Sequence, residues 1–291
     1  MTGPLPEFPA KSVVPPVKRG SRLMIKRWRK ACGAALLALA GAWAGTAQAD
    51  IAAHRAIYTM TLAGSKADSG VSGAQGTMGY QWGESCDGWT VEQSYKLTIN
   101  YAESQDVNIV SNFVTWESKD GQRYRFNQKE TRNGTVDEEI RGSAQFDGPG
   151  KGGTITFEKP KPQTMKLPAG AMFPSTHTIL LIKQAQAGEN FMSKQVFDGA
   201  TTDGAVLVSA VIGPKIEPDP NDPIKNPILQ RPGWRIRLAF FPADPNSEKP
   251  DYELGMLLLD NGISRDMVID YGDYTIKAKL NTIEALGKPH C

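Results

Sequence analysis

The stretch Tyr274-Thr275-Ile276-Lys277-Ala278-Lys279-Leu280 alternates apolar and polar side chains without a break. Successive side chains of an extended chain point to opposite faces, so all its apolar groups fall on one side, as in a strand with one buried face. Trp234-Arg235-Ile236-Arg237-Leu238, Tyr58-Thr59-Met60-Thr61-Leu62 and Tyr95-Lys96-Leu97-Thr98-Ile99 repeat the pattern. Between such runs stand Asp120-Gly121, Asn133-Gly134 and Asn261-Gly262, dipeptides that accept the positive φ of tight hairpin turns. They predict hairpins over Trp116 to Phe126, Arg125 to Ile140 and Met256 to Ile269, and consecutive hairpins make an antiparallel meander.

One segment reads as a helix. Phe173-Pro174-Ser175-Thr176-His177 leads into the run Thr178 to Ala187, and Gly188 follows. Ser175 or Thr176 can cap the start, and Gly188 can end it in the left-handed conformation. Ile179 to Ile182 is apolar at consecutive positions, covering most of the helix circumference, so the helix should be largely enclosed and plug or line the sheet. Pro214 to Gly233 holds six prolines and reads as a long extended loop, an excursion within one domain. The fold class is mainly β, antiparallel, with one main enclosed α-helix.

The chain begins with residues that read as a leader. Lys26-Arg27-Trp28-Arg29-Lys30 precedes an uncharged Ala/Leu-rich run from Ala31 to Ala44, then Ala47-Gln48-Ala49, the order of a secretory signal peptide cleaved between Ala49 and Asp50. The apolar run is shorter than the ~20 residues a membrane helix needs, and none recurs later, so no transmembrane span is expected. The residues before Met24 are unusually Pro-rich, which suggests that translation starts at Met24; Cys32 leaves with the leader. The mature chain, 50–291, is expected to be a single β domain in the periplasm.

Removing the leader's eight basic residues and its one acid, Glu7, from 33 and 31 leaves 25 and 30, a net charge near −5. Such a chain has no basic face with which to neutralise phosphates, so nucleic acid is not an expected partner. Of the cysteines, Cys86 and Cys291 remain, an even pair in an oxidising compartment, where a structural disulfide is the default. The alternative, a metal or catalytic thiol, has only His290 as a nearby partner.

Signals for chemistry are thin. The histidines are His54, His177 and His290, far apart, with no H-E-x-x-H, no G-x-S-x-G and no phosphate-cradling Gly loop. No catalytic, cofactor-binding or metal-ligating residue is assigned. Ser175-Thr176-His177 could be drawn as a catalytic cluster but reads more simply as a hydrogen-bonded helix start, and Asp137-Glu138-Glu139 as a solvated acidic face. A curved sheet with a helix on its concave side leaves an apolar interior, for which Trp82, Trp116 and Trp234, with Ile179, Leu180 and Ile182, are the candidate lining residues. Ordinary core packing explains them as well.

Several stretches resemble the EipB family of periplasmic cell-envelope-integrity proteins of alphaproteobacteria. They are His54-Arg55-Ala56-Ile57-Tyr58, Gly83 to Val91 around Cys86, Trp116-Glu117-Ser118-Lys119-Asp120-Gly121, Phe173 to Thr178, Val196-Phe197-Asp198-Gly199 and the terminal Cys291. The resemblance implies a spiral-like open barrel of about fourteen antiparallel strands, similar in outline to periplasmic lipoprotein carriers, with a disulfide between Cys86 and Cys291. It implies a role in envelope integrity and brings no catalytic residues. Two function classes follow: a non-enzymatic factor that binds a lipid or an acylated protein segment in its curved sheet, or a scaffold that acts through envelope-protein contacts with a packed core.

Overall fold

A computed structural model of the chain describes residues 51–243 and 247–291; the leader, with Met24, Cys32 and the expected Ala49/Asp50 cleavage site, lies outside them. One meander runs through β1 (His54–Ser65), β2 (Val71–Glu84), β3 (Gly88–Tyr101), β4 (Val107–Ser118), β5 (Arg123–Arg132), β6 (Thr135–Phe146), β7 (Gly153–Lys159) and β8 (Gln163–Leu167). Helix α1 (Pro174–Gln186) follows. A second meander runs through β9 (Phe191–Val196), β10 (Val206–Ile216), β11 (Gly233–Phe240), β12 (Tyr252–Leu259), β13 (Ser264–Asp270) and β14 (Tyr274–Ala285).

All fourteen strands belong to one sheet, in the order β8-β7-β6-β5-β4-β3-β2-β1-β14-β13-β12-β11-β10-β9. Apart from β8 and β9, each strand pairs antiparallel with its sequence neighbours, and β1 pairs with β14, from His54 opposite Ala285 to Ser65 opposite Tyr274. The sheet is therefore a rolled meander left open at one seam, between β8 and β9, and the chain crosses that seam through α1. Beside the helix, Met172 spans part of the gap: its N–H donates to Gln195 O (3.0 Å) and its carbonyl accepts from Phe197 N–H (3.0 Å).

The alternation read from the sequence sets the faces. In β14, Ile276, Ala278 and Leu280 are buried while Lys277 and Lys279 are exposed. The three predicted hairpins are present; Asn133 and Gly134 (φ +50° and +81°) turn β5 into β6, and Gly121 (φ +66°) and Gly262 (φ +83°) sit in the other two turns.

The helix ends as expected and begins differently. Gly188 (φ +82°) donates to Ala185 O (3.1 Å) and Glu189 N–H to Gln184 O (3.0 Å), the paired bonds of a glycine stop. At the start, Phe173 occupies the cap position with no side-chain bond, and Ser175 and Thr176 lie inside the first turn. Their free N–H groups are taken by the carboxylate of Glu117 on β4, at 2.7 Å from Ser175 N and 2.9 Å from Thr176 N, and the Thr176 hydroxyl donates to it too. Ser175, His177, Leu181, Ile182 and Ala185 are buried, so the helix is enclosed over its first turns and exposed at Lys183 and Gln186.

The Pro-rich segment 214–233 is not a free excursion. It contains a short 3-10 turn, Pro227–Leu229, and folds over the end of the roll that also carries the turn after β12. Leu229 and Asp222 are both 2% exposed. Asp222 takes two hydrogen bonds from Arg265, Asn226 Nδ2 donates to Ile283 O (2.8 Å), and Asn261 Nδ2 donates to Ile228 O (2.9 Å). The sequence shows the prolines; it does not show these polar anchors.

Cys86, in the turn between β2 and β3, is bonded to Cys291 beyond β14, across 205 residues and a Cα–Cα distance of 5.7 Å. Closing so long a loop restricts the unfolded chain by about 5 kcal/mol in the chain-entropy model. Chemical reduction, Cys86→Ser and Cys291→Ser are therefore expected to lower the urea midpoint by the same amount, with no further loss in the double variant. An unchanged midpoint in all three would contradict a stabilising role.

Candidate functional site

Inward-facing residues of β1–β5 and β9–β13 leave space between sheet and helix. Two connected volumes occupy it, of about 490 Å³ and 250 Å³, with Tyr80, Gln93, Phe113, Tyr252, Leu254, Met256 and Ser264 common to both walls. The size falls in the range of small-molecule cavities. The larger volume lies toward the end of the roll with the β13–β14 turn, where Tyr95, Tyr252 and Tyr271 stand. The smaller one reaches α1, whose Pro174, Ser175, His177, Thr178 and Leu181 form its floor together with Trp82 and Asp198.

The mouth is aromatic, and a carboxylate stands at it: Glu130 accepts from the Tyr95 hydroxyl at 2.9 Å. Phe240 stacks on Tyr252 with ring centroids 4.3 Å apart, and Tyr271 lies 6.2 Å from Tyr252 and 5.2 Å from Tyr274. Burial raises the hydroxyl pKa of Tyr95, whose neighbour Glu130 pushes it the same way, and burial raises that of Tyr271 to about 12, so both keep their protons at neutral pH. Tyrosines here present an apolar body with a polar tip, the combination that suits a boundary between water and hydrocarbon.

The floor carries polar groups in an otherwise apolar wall. Trp82 and His177 are 3% and 5% exposed, and Trp82 Nε1 and His177 Nε2 have no hydrogen-bond partner; Gln128 Oε1, on the outer volume, has none either. Burial, aided by the charge of Lys194, lowers the His177 pKa to about 4, which keeps the ring neutral. Burial raises the pKa of Asp198 and, against the hydrogen bonds from Thr176 and Ser175, that of Glu117.

The residues named from sequence divide. Trp82 lines the floor. Trp234, 4% exposed, instead lies beside the C-terminal end of α1, against an open groove of about 750 Å³ with Ala185, Gly188 and Ile212. Ile179, Leu180 and Ile182 are a correction: they pack into the core between helix and sheet. None of the three lines either volume, whereas Pro174, Ser175, His177, Thr178 and Leu181 of the same helix line the smaller one. Trp116 is a second correction, for it lies on the outer face, with the guanidinium carbons of Arg123 and Arg125 at 5.5 and 5.3 Å from its ring. Its β4 neighbours Thr115 and Glu117 take the inward positions. The sequence signal for the tyrosines is that Tyr58 and Tyr95 head alternating stretches in phase with buried residues.

Of the acidic run on β6, Asp137 and Glu138 are exposed and Glu139 is half-buried, with Asp137 paired to Arg132 at 2.6 Å. No group of metal-ligating side chains occurs among the described residues, and no helix among them is long and apolar enough to cross a membrane.

A histidine whose folded pKa lies below its ordinary 6.5 favours the native state fully above that pH and loses this contribution as the pH falls toward 4. For His177 the loss is about 3 kcal/mol. Unfolding free energies measured by urea titration should therefore drop about that much more for the wild type than for His177→Gln over this range; parallel slopes would contradict it.

The chain is 32% identical over 249 residues to the cell envelope integrity protein EipB of Brucella abortus, covering 82% of this chain and 88% of that one. A crystal structure of a β-barrel-like protein with a domain of unknown function, also from Brucella abortus, superposes with a TM-score of 0.75 at 29% identity, covering 82% of this chain and 99% of the other. The model of the EipB-like family matches residues 45–287, a range that contains all fourteen strands, and the chain belongs to that family.

Proposed function

We propose that this chain is a non-enzymatic factor of the bacterial envelope, exported to the periplasm, which serves envelope integrity by holding a lipid or an acyl chain inside its rolled sheet. The observation that carries this reading is the connected apolar space with tyrosines at its mouth and α1 across its floor. Family membership and the name of the Brucella relative support the envelope role. Glu117 takes the backbone N–H groups of Ser175 and Thr176 and the Thr176 hydroxyl, which supports reading that cluster as a helix start.

The scaffold reading draws on Phe191 and Val211, paired in register on the outer face beside the seam and 57% and 59% exposed. It calls for a packed interior, and a space of about 490 Å³ favours a ligand instead.

Filling the space separates the two. Native mass spectrometry of protein drawn gently from the envelope is expected to show a lipid-sized adduct on the wild type. Leu254→Trp, which places an indole in the shared wall, is expected to lose the adduct while melting within a few degrees of the wild type. Clean mass for the wild type, together with no uptake of an apolar dye, would overturn the binding reading.

A further inference from the structure

We infer that the ligand is a single-tailed lipid, one acyl chain lying lengthwise in the roll with its polar end at the tyrosine mouth, and that lipids with two long tails are excluded. This rests on the binding reading above and adds the ligand's class and direction.

The two volumes lie end to end. On β2, Met78 lines the outer one, Tyr80 lines both and Trp82 lines the inner one; on β3 the same order is Tyr95, Gln93 and Val91, and β4 repeats it. Alternate residues of a strand stand about 6.8 Å apart, so the space follows the strands for about 14 Å or more instead of spreading across them. It starts beside Tyr271, which is 44% exposed, and stops at α1.

The interior to either side is filled. Toward β5–β8, Phe126, Phe157, Phe173 and Phe197 form a packed aromatic core, none more than 2% exposed. Toward β9–β11, Met192, Ala210 and Ile236 are buried in the core that also takes Ile182 of the helix. A second tail has no lane beside the first.

Volume gives the same answer. A methylene group in a liquid alkane fills roughly 30 Å³, as a water molecule does in water. One sixteen-carbon tail then needs roughly 480 Å³ and two need roughly 960 Å³, against about 490 and 250 Å³ for the two volumes. One tail fits with space to spare, and two do not. The tail points inward because a headgroup at the closed end would lose its water, whereas the mouth offers tyrosine hydroxyls and solvent.

The test uses two lipids with the same phosphocholine headgroup and the same sixteen tail carbons, one carrying a single palmitoyl tail and the other two octanoyl tails. Below their micellar concentrations, both compete with a fluorescent apolar dye on the mature chain. The single-tailed lipid is expected to compete at least about tenfold better, because the second octanoyl tail stays in water. Native mass spectrometry should show one single-tailed molecule per chain. Along the single-tailed series from ten to sixteen carbons, affinity should rise about fourfold per methylene. Val91→Phe, which narrows only the inner volume, should flatten the upper part of that rise and leave the ten-carbon lipid unchanged; an equal loss at every length would contradict the end-to-end order. Equal competition by the two-tailed lipid, or two single-tailed molecules per chain, overturns the single tail and leaves the cavity reading standing. Displacement by neither lipid overturns both. The comparison of one tail with two is made on the wild type, so it decides whether or not Val91→Phe folds.

Discussion

The carboxylate of Glu117 on the first turn of α1 holds this architecture together. A helix start leaves its leading N–H groups without partners, and burying them unpaired costs about 1–3 kcal/mol each. Here an acid from a strand well inside the first meander reaches two of them and a hydroxyl as well. That contact ties the start of the helix to β4, while the helix also packs on β9 and β10. The fit is close: a Cβ on Gly121, in the turn after β4, would meet Thr176 Oγ1 at 2.8 Å.

From that constraint the asymmetry of the molecule follows. Helix, Pro-rich segment and disulfide gather toward one end of the roll, each held by contacts between residues far apart in sequence. The other end carries a ladder of aromatic rings. A sheet of fourteen strands is too wide for one helix to fill, and the unfilled part becomes a pocket with a floor and a mouth.

The sheet was legible because alternation over Tyr274 to Leu280 and the turn glycines are local signals. The helix was legible for the same reason, down to Gly188. Trp116 was misplaced because β4 inverts the usual pattern: Ser111, Thr115 and Glu117 face inward, while Val110, Val114 and Trp116 do not. Inward positions there serve the helix and the cavity, so polarity no longer reports burial. Glu117 and Thr176 stand 59 residues apart, and Asp222 and Arg265 stand 43 apart, so neither pair leaves a pattern within a window of sequence.

The central claim is that the inside of the roll holds an acyl chain, and photo-crosslinking tests it most directly. A lauroyl ester carrying a diazirine within the chain would be bound, irradiated and the labelled peptides sequenced. The account predicts label on inward residues of β2 and β12, such as Tyr80 and Met256, in amounts that excess unlabelled ester suppresses. Label confined to the outer face around Trp116, or spread without competition, would contradict it.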